Sequence, residues 1–525
     1  MRNIFFSLLL LFVGSNLMAQ RCGVTPEDNM KITIDLLKNK ADVAKGIIYE
    51  RGTAYVPIKF HLVANDDGTT KVAESKIFDL LCGLNANYSN VGLQFYISDG
   101  FNYINDTRIN TTPKDGFSAL FIKAKKVSNA INVFIVTDID EASGQNGEIL
   151  GFADYDGDYL VVLKKECKKE ASTISHELGH YFSLLHTHNG WDGHPYDVAV
   201  DGMKVGLYSP VQGVKKGYYP GQQPTTSLKN ECQSGFECDI RGDYICDTPP
   251  DYAMGEAWWN NNCSKWTPIV ISPCGDTVHP QEINYMGYFS NCTSYKFTPM
   301  QITQLVASYN STRRNYIRTN IAPVTTNGNV TDLATDFSPA ANTTTPFSNK
   351  VDLDWSDVPN ATHYYLEIAL IDFLGDYERK VLTKSDFTFT TYLGNPIVAN
   401  KSYVWRVKAF NNLYTCANIS SKIKFTTGIS NANLDLPENV SDWSVYPNPS
   451  KFGNTTQLQI DATKNLEPVV EIYDALGRKL LTKNVQVQIG PNNINLETEN
   501  FKSGLYFVTI KLDNKIYSKK LYFVD

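Results

Sequence analysis

Residues 176–188 read HELGHYFSLLHTH, and this stretch decides how the 525-residue chain is to be understood. On a helix, positions four apart lie on one face, so His176 and His180 present their imidazoles to a common point. His186 follows six residues after His180, far enough for the chain to leave the helix and return a third ring. Three imidazoles at one point, with a fourth position open to water, form the donor set of a catalytic zinc ion. Glu177, beside the first histidine, is placed to take a proton from that water, whose pKa zinc lowers to about 7. Five of the eight histidines fall between His176 and His194, a clustering that mere packing of a helix does not explain.

Further along the chain come GDYICDTP at Gly242 to Pro249, INYMGY at Ile283 to Tyr288 and CTSYKFTPMQ at Cys292 to Gln301. The order HExxH, third histidine, methionine turn resembles the metzincin metallopeptidases. The three later pieces resemble their pappalysin branch in particular. The resemblance spans roughly Ala54 to Asn320. It implies an α/β catalytic domain, zinc on His176, His180 and His186, Glu177 as general base and Met286 as the floor of the metal site. It also implies that Tyr288 steadies the tetrahedral intermediate. The chain departs from the family at Ser183, where the motif has glycine. A non-glycine residue in the left-handed conformation costs about 1–2 kcal/mol. The third ligand is therefore His186 by spacing, with His188 as the alternative. Calcium is a second cation that the resemblance implies. Asp192, Asp197, Asp201, Asp247 and Asp251 offer the hard oxygens it prefers, without a defined ligand set.

Working outward, Thr53 to Ala64 reads as a strand, and Ala73 to Tyr88 as a helix with apolar residues at Ile77, Leu80, Leu81 and Leu84. Gly92 to Ser98, Ala130 to Thr137 and Tyr159 to Lys164 are β-rich runs, and Lys169 to Leu185 is the expected motif helix. From Asn189 to about Thr277 there is little periodicity. A loop of that length is usually functional, and its cysteines favour an ordered, stapled one. These residues place an α/β domain at 52–320, followed by a Thr-, Asn- and Pro-rich linker at 321–349.

The remainder reads as two all-β sandwich domains. Residues 350–428 carry the short runs VDLDW, HYYLEIAL, SYVWRVKAF and KIKFTT, with Trp355 and Tyr403-x-Trp405-x-Val407 similar to fibronectin type III modules. Residues 443–525 carry Tyr446-Pro447-Asn448-Pro449, VEIYDALGRKLL, Ser503-Gly504-Leu505-Tyr506 and KKLYFV. They resemble the C-terminal sorting domain of type IX secretion cargo, which implies secretion machinery as a partner.

Residues 1–19 have the charged start, short apolar core and small-residue end of a signal peptide, too short to span a bilayer. No later segment reads as a membrane span, so the mature chain is expected outside the cell or attached to its surface. Residues 20–51 form a candidate pro-segment. Its Arg21-Cys22-Gly23-Val24 looks like the cysteine switch of metzincin zymogens, in which a thiolate takes the water's place on zinc. A bridge from Cys22 to Cys416 is the alternative. The eight cysteines from Cys82 to Cys292 are expected to close four disulfides among themselves. A net charge of −7 with no basic run excludes a nucleic-acid footprint. The expected activity is hydrolysis of protein or peptide substrates outside the cell. From a different class, the competing reading is an inactive surface adhesin built on a peptidase fold, favoured only by Ser183.

Overall fold

The computed structural model describes residues 20–46, 53–139, 148–214, 225–257, 263, 269–290, 292–319, 328–346, 349–371, 377–428, 437, 439–451, 453–512 and 515–524. The signal peptide expected at 1–19 lies outside the described residues. By contacts the chain divides into two units. One comprises residues 1–333 with 358–365 and 408–419, and the other 334–357, 366–407 and 420–525.

The first unit is built on a mixed sheet. Its elements in chain order are β1 (Gln20–Cys22), α1 (Pro26–Ala44), β2 (Ala54–Ala64), α2 (Glu74–Asn87), β3 (Leu93–Ile97), β4 (Asn102–Asn105), α3 (Thr107–Thr111), α4 (Gly116–Lys125), β5 (Ile131–Val136), β6 (Glu148–Asp154), β7 (Tyr159–Leu163) and α5 (Thr173–Tyr181). The strand order is β1-β6-β7-β5-β2-β3, with β4 also paired to β2. All pairings are parallel except β6 with β7. β2 is buried without a break from Val56 to Ala64, as expected of a parallel strand covered on both faces. Successive side chains point to opposite faces. Ile58, Phe60 and Leu62 therefore pack with Ile77, Leu81 and Leu178 of α2 and α5, whereas Val63, Phe134 and Val161 meet Ile109 and Ile122 of α3 and α4.

Two expectations from the sequence need correction. The motif helix is shorter than Lys169 to Leu185, because it begins at Thr173 and stops at Tyr181. The four disulfides are Cys82–Cys416, Cys232–Cys274, Cys238–Cys246 and Cys263–Cys292. Three of them close among the eight cysteines from Cys82 to Cys292, and only Cys82 leaves that set. Residues 408–419 come back to α2, where Phe410 packs on Phe78 and Thr415 Oγ1 donates to the Phe78 carbonyl. Cys82 thereby meets Cys416, and Cys167 is left as a buried thiol. The bridge from Cys22 to Cys416 is excluded, and Cys22 is free. In the described residues of the long loop, Cys232–Cys274 and Cys238–Cys246 are bridged, and Tyr208–Val214 pairs antiparallel with Thr225–Lys229.

The rest is β structure. Thr343–Thr344, Ile423–Thr426, Ser402–Phe410, His363–Leu370 and Tyr377–Leu382 form one sheet in that order, and Val351–Asp354 pairs with Asp386–Phe389. Trp355 and Trp405 are both buried, with ring centroids 5.8 Å apart. Residues 440–524 form a three-stranded and a five-stranded sheet. Their shared core includes Trp443, Leu458, Ile472, Val508 and Leu521.

Candidate metal centre

α5 buries every residue from Ile174 to Tyr181, so both histidines of its inward face are shut off from bulk water. The helix stops because Ser183 turns left-handed, at φ 67°. This is the position where the family motif carries glycine. Ser183 N–H donates to the His180 carbonyl at 2.8 Å, and Leu184 N–H to the Gly179 carbonyl at 2.9 Å. The serine hydroxyl lies 2.8 Å from Tyr155 Oη and 3.0 Å from Ser308 Oγ. Two hydrogen bonds of about 0.5–1.5 kcal/mol each offset a backbone cost of similar size. The chain then reverses and returns His186 to the helix.

The three Nε2 atoms converge. His176 is 3.1 Å from His180 and 3.2 Å from His186, and His180 is 3.0 Å from His186. Each Nδ1 faces an oxygen that can only accept: the Tyr285 carbonyl at 2.6 Å for His176, the Leu184 carbonyl at 2.9 Å for His180, and the Asp192 carboxylate for His186. Each Nδ1 therefore keeps its proton, and each Nε2 directs a lone pair at the other two. Burial lowers the pKa of all three rings, that of His176 to about 3, which holds them neutral. Three neutral lone pairs facing one another repel unless a cation lies between them. Tetrahedral zinc with bonds of 2.0–2.1 Å would separate its nitrogens by about 3.3–3.4 Å, so the donor set fits that ion with a shift of a few tenths of an ångström.

His188 is not part of this cluster's front. Its ring stacks behind His186 at 4.5 Å and 9°, with Nε2 3.7 Å from Asp192 Oδ1. Met286 is fully buried. A Cβ on Gly179 would come within 2.3 Å of Met286 Sδ, which explains the glycine between the two helical histidines. The Thr187 N–H donates to the Met286 carbonyl at 3.1 Å, joining this turn to the segment that carries His186.

Glu177 and Cys22 approach from the β6 side. Cys22 Sγ and the three imidazoles each offer a donor atom within 4.8 Å of the others. The thiol donates to Glu177 Oε2 at 3.2 Å, and the Cys22 N–H donates to Tyr288 Oη at 3.0 Å. Burial pushes the Glu177 carboxyl up to about 8, and the Cys22 thiol well above its usual range. Tyr288 flanks the cluster with ring centroids 5.8 Å from His176 and 4.8 Å from His186.

The aspartates suggested for calcium are engaged elsewhere. Asp192 accepts from His186, Asp251 from Thr187 Oγ1, Asp197 caps a short helix, and Asp247 accepts from Thr298 Oγ1 and Met300 N at the start of the helix Pro299–Asn310. Among the described residues no three of the five meet within ligand distance. Sequence reading did not anticipate a buried carboxylate pair, Glu231 and Asp243. Both are raised in pKa by burial, Asp243 to about 7, and Thr248 Oγ1 lies 2.9 Å from Asp243 Oδ2. Lys114 also escaped sequence reading, since nothing local distinguishes it from other surface lysines.

Among solved structures the chain is similar to the FN1–FN3 domains of chicken CNTN1 (10% identity, TM-score 0.19, 38% of this chain and 69% of that one). It is similar to an α-L-rhamnosidase from Dictyoglumus thermophilum (14% identity, TM-score 0.17, 36% of this chain and 29% of that one). A third similar structure is FN3tt (19% identity, TM-score 0.13, 18% of this chain and 91% of that one). At these scores none of the three carries an argument. No curated protein matches the chain. Among the described residues no helix is long and apolar enough to cross a membrane. Residues 444–523 match the family described as the secretion system C-terminal sorting domain, so the chain carries a sorting module that directs its export.

Proposed function

We propose that this exported chain is a zinc-dependent endopeptidase of the metzincin type, similar to pappalysins, kept latent by Cys22. The observation that carries the reading is the meeting of three inward-facing Nε2 atoms with Glu177 and a cysteine thiol at one buried point. His176, His180 and His186 would hold the ion. When bound, zinc supplies Lewis acidity that polarises the scissile carbonyl and acidifies the attacking water. Glu177 takes the proton of that water on its carboxylate and passes it to the departing amine. Tyr288 Oη, which accepts the Cys22 N–H in the latent chain, donates after excision to the oxygen of the carbonyl under attack. Products are a new carboxylate and a new amine, and water is the only co-reactant.

The inactive-adhesin reading rested on Ser183, and a serine whose left-handed turn is compensated by two hydroxyl partners lends it no support. Calcium belongs to the proposal as well. Glu231, Asp243 and the Thr248 hydroxyl offer hard oxygens in the long loop, and two buried carboxylates in contact call for a shared proton or a cation.

Metal analysis and casein hydrolysis by the excised enzyme test the proposal, with Glu177→Ala beside the parent. The parent should contain one zinc per chain and cleave casein. Glu177→Ala should keep the zinc and lose activity by about 10²–10⁴-fold. A zinc-free parent, or near-parent turnover by the variant, would refute the mechanism.

A further inference from the structure

The edge of the sheet beside the histidines holds a stretch of peptide, and its contacts are unusual for a sheet edge. Residues 20–22 run parallel to β6, Gln20 opposite Glu148 and Cys22 opposite Gly151. The Gly23 N–H continues the pairing to the Gly151 carbonyl at 3.0 Å. The same main chain is also held by side chains: the Cys22 N–H by Tyr288 Oη, and the Gly23 carbonyl by Lys114 Nζ at 2.9 Å. Lys114 lies in the link between α3 and α4, is exposed, and passes its ammonium over the Phe152 ring at 5.5 Å. Among the described residues no carboxylate pairs with it. The slot is also narrow. A Cβ at Gly23 would lie 2.9 Å from Lys114 Nζ and 3.1 Å from Ile149 Cγ2 and Phe152 Cβ.

We infer that Lys114 is a substrate-positioning residue, whose ammonium takes the main-chain carbonyl of the peptide residue that replaces Gly23 after the pro-segment leaves. This rests on the peptidase reading above. The slot recognises peptide backbone by a strand edge and a cationic donor. Its selectivity is therefore for an extended main chain with a small residue at the Gly23 place, where a Cβ would press on Ile149 and Phe152 as well as on the Lys114 head. A charge-assisted hydrogen bond made equally in the bound substrate and in the transition state acts on KM and leaves kcat alone.

The test uses the excised enzyme with Lys114→Met, which keeps the stem, and Lys114→Arg, which keeps a charged donor. Lys114→Met should raise KM by about 10- to 100-fold, the worth of a hydrogen bond to a charged group, with kcat little changed. Lys114→Arg should restore most of the loss. In a series of peptides with one carbonyl at a time replaced by CH2, one replacement should weaken binding to the parent and have no further effect on Lys114→Met. A second arm needs no turnover: calorimetry of a synthetic peptide of residues 20–46 on the excised Glu177→Ala chain, with and without Lys114→Met. Equal KM values in all three enzymes, or equal affinities in the calorimeter, would overturn the inference. A parent without turnover would defeat the peptidase reading instead, and the calorimetric arm would still decide Lys114.

Discussion

Ser183 and Gly179 sit four residues apart and solve opposite problems. Gly179 must lack a side chain because Met286 Sδ occupies the space a Cβ would need. Ser183 tolerates a left-handed backbone because its own side chain is anchored. Both serve to aim His180 and His186 at His176. The ligand set follows from these aims. His186→Ala removes an inward lone pair and should reduce zinc affinity beyond the roughly 10–100-fold that loss of an outer hydrogen-bond partner costs. Asp192→Asn, which weakens the acceptor behind His186 Nδ1, should fall within that 10–100-fold range. His188→Ala removes a ring stacked behind the ligand and should leave zinc binding nearly unchanged. Zinc titration against a competing chelator separates the three. A loss at His188 exceeding that at His186 would show that the turn at Ser183 delivers the other ring. The HELGHYFSLLHTH string made the meeting of His176 and His180 legible through helical periodicity alone. Spacing favoured His186 over His188 beside them, but the turn that brings His186 there rests on a φ angle and on hydroxyl partners 28 and 125 residues away.

The elements show a similar division. Four strands of the sheet, β2, β3, β5 and β7, were readable as β-rich runs bounded by turn residues, whereas β1, β4 and β6 were not. α1 was not, since its buried face includes Asp28, Thr33 and Asn39 beside Ile32 and Leu36. The polar residues of this helix also meet distant partners: Asp28 accepts from the Asp156 N–H at 3.2 Å, Asn29 donates to Asn189 at 3.1 Å, Tyr155 Oη donates to Asp35 at 2.7 Å, and Lys40 reaches the Tyr244 carbonyl. α4 defeats pattern reading in the reverse sense, by exposing Phe117, Leu120 and Phe121. The docked α1 explains how a three-residue strand stays in place: the helix anchors, and β1 delivers the thiol. Latency should therefore depend on Cys22 chemically and on α1 only for delivery. Cys22→Ala should yield an uncut precursor with measurable casein hydrolysis, or rapid self-cleavage, where the uncut parent shows neither. Equal silence in both precursors would mean that α1 and β1 block the site by bulk alone, and the thiol would lose its role.

At the scale of the molecule, the useful boundary is not where the composition changes. A linker at 321–349 invites the view that residues 52–320 form a separable domain. Yet Tyr365 and Phe410 belong to the same core cluster as Phe78 and Leu81, and Cys82 is bridged to Cys416 across 334 residues. The first unit borrows 358–365 and 408–419 from beyond the linker, a long-range dependence that periodicity and turn signals do not record. The sorting module is different, because its core cluster draws only on residues from Val440 to Phe523. Two truncations should therefore behave differently. A chain ending at Ser441 keeps Cys416 and the whole first core, so it should fold, retain zinc and melt close to the parent, yet remain inside the cell envelope of its host for want of the module. A chain ending at Asn320 loses Phe410, Tyr365 and one half of the Cys82 bridge. Losing that disulfide alone costs about 2–5 kcal/mol, a large share of a typical stability of 5–15 kcal/mol, so this chain should melt far lower or fail to accumulate. Thermal melts of the purified chains and fractionation of the host check both points. Normal levels of the Ser441 chain outside the cell would overturn the export role of the module, and an Asn320 chain as stable as the parent would show that the first unit does not need what it borrows.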